Sequence, residues 1–265
     1  MKRYVKILGF LAALAGVYVL TLTSIQRYLL FWPSHSYVSP TAAKLPQFKE
    51  NIIKMRDGTE VMTWYIEGDK QKPAILFFHG NAFQISRFAP HLLPFAKDGY
   101  SVLIMEYRNF GNTKGKTLQE DIFADAAETY DWLKEQGYPQ IVVYGYSYGT
   151  AVASGLTTLR EVEKMVLTAP FSSMRELVAE KPVPLGSYVM RDTYPSKDYL
   201  QNYHNPLLII HGHDDLLIPV HHGRIMYESA ASADKQFIEL EETDHRDIFF
   251  MEKNIPLIAK WLQEH

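Results

Sequence analysis

The sequence contains no cysteine, so disulfides, thiolate metal sites, a cysteine nucleophile and a lipidated N-terminal cysteine are excluded. That absence leaves the compartment open, because a domain with a large core folds without covalent cross-links. Basic surplus is missing too: 27 Lys and Arg face 30 Asp and Glu, a formal charge of −3. With no excess positive charge to neutralise phosphates, nucleic acid is not expected as a partner. No Asn-x-Ser/Thr sequon, repeat or low-complexity tract occurs. What remains is 47% hydrophobic and 22% charged over 265 residues. That composition excludes disorder, and the length fits one α/β domain or two small ones.

Long hydrophobic runs are confined to the N-terminus. Ile7 to Ile25 holds no charged residue, and its span of roughly 28 Å, at about 1.5 Å per residue, matches a bilayer core. Lys2, Arg3 and Lys6 precede the run and only Arg27 closely follows it. The positive-inside rule then keeps the N-terminus cytoplasmic and puts the rest of the chain on the far side, periplasmic in a bacterium. Tyr28, Phe31 and Trp32 stand where an interfacial aromatic belt is expected, before Pro33 stops the helix. A cleaved signal peptide needs small residues after the apolar core, whereas Leu20-Thr21-Leu22-Thr23-Ser24 lies there. An uncleaved single-span anchor over residues 1–30 is therefore preferred to a cleaved signal or a buried helix.

From residue 31 to 265 the chain reads as one catalytic unit. Strands are expected at Ile52–Met55, Val61–Ile66, Ala74–Phe78, Val102–Met105, Ile141–Tyr144, Met165–Thr168, Leu207–Ile210 and Phe237–Leu240. Helical segments separate them. In the clearest, Thr117-Leu118-Gln119-Glu120 reads as a capping box, followed by Phe123, Ala127, Tyr130 and Leu133 at helical spacing. This alternation implies a mostly parallel eight-stranded sheet with helices on both faces and an antiparallel leading edge. Between the sixth and seventh strands, residues 171–204 form a proline-interrupted insert, the place for a small cap.

The most specific motif is Gly145-Tyr146-Ser147-Tyr148-Gly149, which follows an apolar strand and precedes a small-residue helix. A strand turning abruptly into a helix holds its apex residue in a strained conformation and leaves no room for side chains two positions either way. Ser147 is then presented clear of the sheet, with the Tyr148 N–H at a helix start. A serine needs a base, and the base an orienting group. His245, in a polar loop after the last strand, is the candidate base. Asp214 and Asp215, adjacent at the end of the 207–210 strand, are both candidates for the acid. His211 and His213 flank them without an evident third metal ligand. The strand Ala74–Phe78 runs into His79-Gly80-Asn81, a turn whose N–H groups face the apex. The backbone N–H groups of Asn81 and Tyr148 are the expected oxyanion donors, with His79 a structural residue pinning the turn. Phe83, Tyr146, Tyr148, Phe171 and Met174 are candidate pocket residues.

Together these residues resemble the serine hydrolases of the alpha/beta-hydrolase superfamily. Ser147, Asp215 and His245 follow that superfamily's chain order, and its spacing to Ile218-Pro219 implies Asp215 rather than Asp214 as the acid. A closer resemblance is to a small membrane-anchored esterase- or thioesterase-like branch. It is carried by Gln26-Arg27-Tyr28-Leu29-Leu30-Phe31-Trp32-Pro33, by His79-Gly80-Asn81 and by the loop Tyr107 to Gly115. Asn109 and Thr113 depart from that loop's usual pattern, although asparagine tolerates a left-handed backbone and threonine keeps a hydroxyl. The resemblance implies cleavage of a carboxylic ester or thioester through an acyl-enzyme, without metal or organic cofactor. The tether favours a lipid-like acyl substrate. A peptidase or acyltransferase on the same fold, or a non-catalytic binding protein, are the alternatives.

Overall fold

In the computed structural model, which describes residues 2–265, eight segments pair into one sheet. They are β1 (Lys49–Lys54), β2 (Glu60–Ile66), β3 (Ala74–Phe78), β4 (Ser101–Met105), β5 (Ile141–Tyr146), β6 (Lys164–Thr168), β7 (Leu207–Gly212) and β8 (Lys235–Leu240). Their order is β8-β7-β6-β5-β3-β4-β2-β1. β3 to β8 are mutually parallel, while β2 runs antiparallel to both β1 and β4. All eight expected strands are present, and the leading edge is antiparallel as expected.

Both faces of this sheet are buried, which is why its central strands read as unbroken apolar runs rather than alternations. Along β3, Ala74, Leu76 and Phe78 face one core, and Ile75 and Phe77 face the other. The first core is covered by α2 (Gln119–Glu135), through Phe123 and Tyr130, and by α3 (Tyr148–Leu156), through Val152 and Leu156. The second is closed by α5 (Ile255–Glu264), through Ile258, Trp261 and Leu262. The capping box does not form. Leu118 is the N-cap and its side chain makes no capping bond. The Thr117 hydroxyl instead donates to the Arg108 carbonyl at 2.9 Å, a buried bond that prevails over a local cap.

The first helix, α1 (Lys2–Leu30), is long and apolar enough to cross a membrane. Its residues 2–18 are exposed, which removes the buried-helix alternative. Its last turns behave differently. Gln26 is buried and accepts from the Arg191 N–H at 2.9 Å. Arg27 forks onto Asp192 at 2.7 and 3.2 Å. Phe31 is not part of an aromatic belt: it is buried, edge-on to Tyr148 at 5.0 Å between centroids. Trp32–Pro33 then pairs in parallel with Ala82–Phe83. Apolar character alone does not distinguish a residue meeting lipid from one meeting the core, so the aromatic cluster was legible but its destination was not. The insert comprises α4 (Met174–Ala179), a 3-10 turn at Gly186–Tyr188 and a short helix at Ser196–Leu200.

Candidate active site

The β5–α3 turn holds Ser147 at φ 53° and ψ −120°, a strained backbone for any residue with a side chain. Two glycines make that turn possible. A Cβ on Gly149 would sit 1.9 Å from the Phe78 carbonyl oxygen, and one on Gly145 would sit 2.5 Å from that of Gly149. Neither distance is tolerable for real atoms, so the glycine spacing of the motif is a steric requirement here. The Ser147 N–H still donates to the Thr168 carbonyl at 2.9 Å, so the sheet continues to the apex and fixes it.

Three residues distant in sequence meet at this point. The Ser147 hydroxyl lies 2.9 Å from His245 Nε2, and His245 Nδ1 lies 2.6 Å from Asp215 Oδ2. Asp215 accepts further at Oδ1 from the Leu217 and Ile218 N–H groups, at 2.9 and 2.7 Å. His211 Nε2 stands 3.5 Å from its other oxygen. Burial opposes ionisation of this carboxyl, but the His211 and His245 imidazoles beside it and the Ile218 N–H outweigh burial and hold the group well below the ordinary carboxylate range. Asp214, its neighbour, is exposed and belongs to no such network. The Tyr146 hydroxyl donates to the His245 carbonyl at 3.0 Å, and the two rings stack at 5.5 Å. Burial pushes the Tyr146 phenol upward, so it stays a neutral donor that steadies the histidine loop.

Asn81 and Tyr148 flank Ser147 in one chamber. Among the described residues, neither backbone N–H donates to a protein acceptor. The Asn81 side chain is engaged elsewhere, donating to the Leu30 carbonyl at 2.5 Å. His79 is fully buried, with Nδ1 at 2.8 Å from the Gly80 carbonyl and Nε2 at 2.9 Å from Glu106. Glu106 in turn accepts from the Ile85 N–H at 3.0 Å, tying the turn to the following helical stretch. Gly80 has ordinary space around it, since a Cβ there would be 3.6 Å from the nearest atom, on Tyr146. Asn109 takes φ 71°, and the Thr113 hydroxyl accepts from the Met62 N–H at 3.1 Å. Both departures from the usual loop pattern are therefore accommodated.

Two chambers open on Ser147. One, of about 270 Å³, is lined by Phe171, Met174, Leu177, Val178, Ile218 and the end of α1. The other, of about 300 Å³, is lined by Phe83, Phe88, Tyr146, His245, Arg246 and Phe250. The candidate pocket residues are thus divided: Phe171 and Met174 on one side, Phe83 and Tyr146 on the other. Tyr148 borders the first chamber, while its hydroxyl pairs with that of Tyr194 at 2.8 Å. Sequence reasoning missed Leu29, Leu30 and Trp32, which line the first chamber; they were read with the membrane segment. It also missed Leu217, which borders both chambers and lies two residues after Asp215.

His211 and His213 have separate partners. The first donates to the Ile218 carbonyl at 2.8 Å, and the second reaches out to Glu239 at 2.6 Å. Potential ligand atoms do gather within 4.8 Å at Glu180, His221 and His222, and at His213, Glu239 and Glu241. Neither group contributes a residue to the chambers beside Ser147. His222 is buried and shares a 2.8 Å contact with the Ser172 hydroxyl.

Residues 69–204 match the family model described as serine aminopeptidase, S33. The chain is 29% identical over 264 residues to the uncharacterised Mycobacterium tuberculosis protein Rv2307c, covering 97% of this chain and 93% of that one. It is 29% identical to the Xenopus tropicalis lysophosphatidylserine lipase ABHD12, over 73% of this chain and 57% of that protein. A Pyrococcus furiosus esterase superposes with a TM-score of 0.68 over 89% of this chain and 97% of its own. At 21% identity that last likeness is one of fold.

Proposed function

Given that this chain belongs to the serine aminopeptidase S33 family of alpha/beta hydrolases, we propose that it is a serine hydrolase that cleaves carboxylic esters or thioesters through Ser147, His245 and Asp215. The observation that carries this reading is the unbroken path from Asp215 through His245 to Ser147, at 2.6 and 2.9 Å, beside two unengaged backbone N–H groups. Ser147 Oγ attacks the substrate carbonyl while its proton passes to His245 Nε2. Asp215 holds the ring in the tautomer that leaves Nε2 free to accept, and stabilises the cation that forms. The Asn81 and Tyr148 amides donate to the developing oxyanion, a role in which one donor contributes about 10²–10³ in rate. Collapse of the tetrahedral intermediate breaks the bond to the leaving group, which departs with the proton from His245. Water, deprotonated by the same imidazole, then releases the acid and restores Ser147.

The family description raises peptide hydrolysis as a second reading. An aminopeptidase needs an anionic group to receive the free α-ammonium. Among the described residues, none of the side chains lining either chamber is an Asp or Glu; the charged ones are Lys181, Arg246 and, when protonated, His245. Cation-bearing, otherwise apolar walls favour acyl esters over aminoacyl substrates. Similarity to a lysophosphatidylserine lipase is consistent with that preference. Comparing p-nitrophenyl esters with aminoacyl p-nitroanilides separates the readings: ester turnover should exceed anilide turnover by at least 100-fold. The opposite ratio would make the protein a peptidase.

Residues 1–30 serve in this proposal as a membrane anchor, with the hydrolase domain, 31–265, on the far side. Lys2, Arg3 and Lys6 ahead of the apolar run, against Arg27 alone close behind it, support that orientation. Protease added outside spheroplasts should digest the domain; digestion only from the cytoplasmic side would reverse the orientation.

A further inference from the structure

We propose that the end of α1 is a wall of the substrate site as well as a tether, lining an apolar channel that leads from Ser147 toward the bilayer and receives the acyl chain of a long-chain lipid ester. This inference rests on the acyl-transfer reading of Ser147. The chamber beside Ser147 adjoins a second one of about 200 Å³, with Leu29, Leu30, Val178 and Lys181 bordering both. The outer chamber adds Leu22, Gln26, Val183, Gly186, Val189 and Met190. Its polar side chains already have partners. Gln26 bonds to the Arg191 N–H and the Val189 carbonyl, at 2.9 and 3.4 Å, and Lys181 donates to the Leu217 carbonyl at 2.9 Å. Apart from the Lys181 ammonium, the walls therefore offer a guest apolar contact, which a hydrocarbon chain exploits and a short or polar acyl group does not.

Depth in the membrane supports the same occupant. The Tyr18 hydroxyl donates to the Pro184 carbonyl at 2.8 Å, so the tip of the insert reaches back along α1 to residue 18. At about 1.5 Å per residue, that is roughly 18 Å from Leu30, and it lies within the charge-free run Ile7–Ile25. Around this contact Val183, Leu185 and Tyr188 are 37%, 50% and 83% exposed. Such a cluster is costly in water and favourable against lipid. With the run in hydrocarbon, the outer chamber, lined along α1 from Leu22 to Leu30, begins at the level of lipid tails. A chain enters it sideways from the leaflet without crossing water.

The test uses the full-length protein in phosphatidylcholine–detergent mixed micelles, with p-nitrophenyl esters from butyrate to palmitate. Each methylene buried is worth roughly fourfold in kcat/KM when about 0.8 kcal/mol is converted at room temperature, so the wild type should gain at least 30-fold from butyrate to longer chains. Leu22→Trp and Val189→Trp fill the outer chamber without touching the one at Ser147. They should keep butyrate turnover within twofold and lose tenfold or more on palmitate. A flat wild-type chain-length profile overturns the channel, as does palmitate turnover unaffected by either substitution or falling only in step with butyrate. Ser147→Ala separates the two layers: butyrate hydrolysis surviving in it refutes the acyl-transfer reading itself, whereas its loss alongside a flat wild-type profile refutes the channel alone.

Discussion

Replacing Asp215 with asparagine tests the proposed relay at its most geometrically determined point. Oδ1 accepts two backbone N–H groups, from Leu217 and Ile218, and Oδ2 faces His245 Nδ1 at 2.6 Å. An amide must place its oxygen toward the two N–H donors, because its NH₂ would oppose them and leave buried donors unpaired, at about 1–3 kcal/mol each. The NH₂ therefore turns to His245 and donates to Nδ1. The ring must then carry its proton on Nε2, which points at Ser147 and can no longer accept from it. Folding is nearly preserved, while kcat should fall by about 10⁴, close to 5.5 kcal/mol in activation free energy. KM should change by less than about threefold, since no substrate contact is lost. The assay is p-nitrophenyl butyrate hydrolysis by the full-length protein, with Asp214→Asn as control; the exposed neighbour should lose less than about twofold. A loss below tenfold in Asp215→Asn, or equal losses in the two variants, would refute the reasoning.

The remaining predictions probe the turn, the oxyanion donors and acid stability. Gly149→Ala places a methyl 1.9 Å from the Phe78 oxygen and should destabilise by more than about 2 kcal/mol in urea unfolding, whereas Gly80→Ala, with 3.6 Å of clearance, should cost less than about 1 kcal/mol; equal costs would contradict the steric account of the motif. Asn81→Ala keeps the backbone N–H and should lower kcat by less than about tenfold, against the 10²–10³ expected if the side chain were the donor. The folded-state pKa of Asp215 is depressed below the ordinary 3.8, so its contribution to stability is complete above about pH 4 and is lost as pH falls through the folded value. Melting temperature measured from pH 7 to pH 2.5 should drop more steeply below pH 4 in the wild type than in Asp215→Asn. Parallel curves would remove the linkage.

Most of the framework was legible because the sheet is buried on both faces. β3, β5 and β7 read as apolar runs whichever way their side chains point, and all eight strands emerged with ends shifted by up to three residues. The Gly145–Gly149 turn was legible for a steric reason, since its glycines are fixed by the Phe78 and Gly149 carbonyls. Where sequence reading failed, a long-range partner displaced a local pattern. Thr117 fits a capping box but is taken by the Arg108 carbonyl, across nine residues. Phe31 fits an interfacial belt but packs on Tyr148. The chamber walls drawn from α1 were least legible, because Leu29 and Leu30 satisfy the same pattern whether they meet lipid or substrate.

The central claim is that Ser147 is made nucleophilic by His245. Treating the full-length protein with a fluorophosphonate and mapping the adduct by peptide mass spectrometry tests it most directly. A single adduct should form on Ser147, vanish in Ser147→Ala, and form at least 100-fold more slowly in His245→Ala. Labelling undiminished in either variant, or an adduct on another residue, would contradict it.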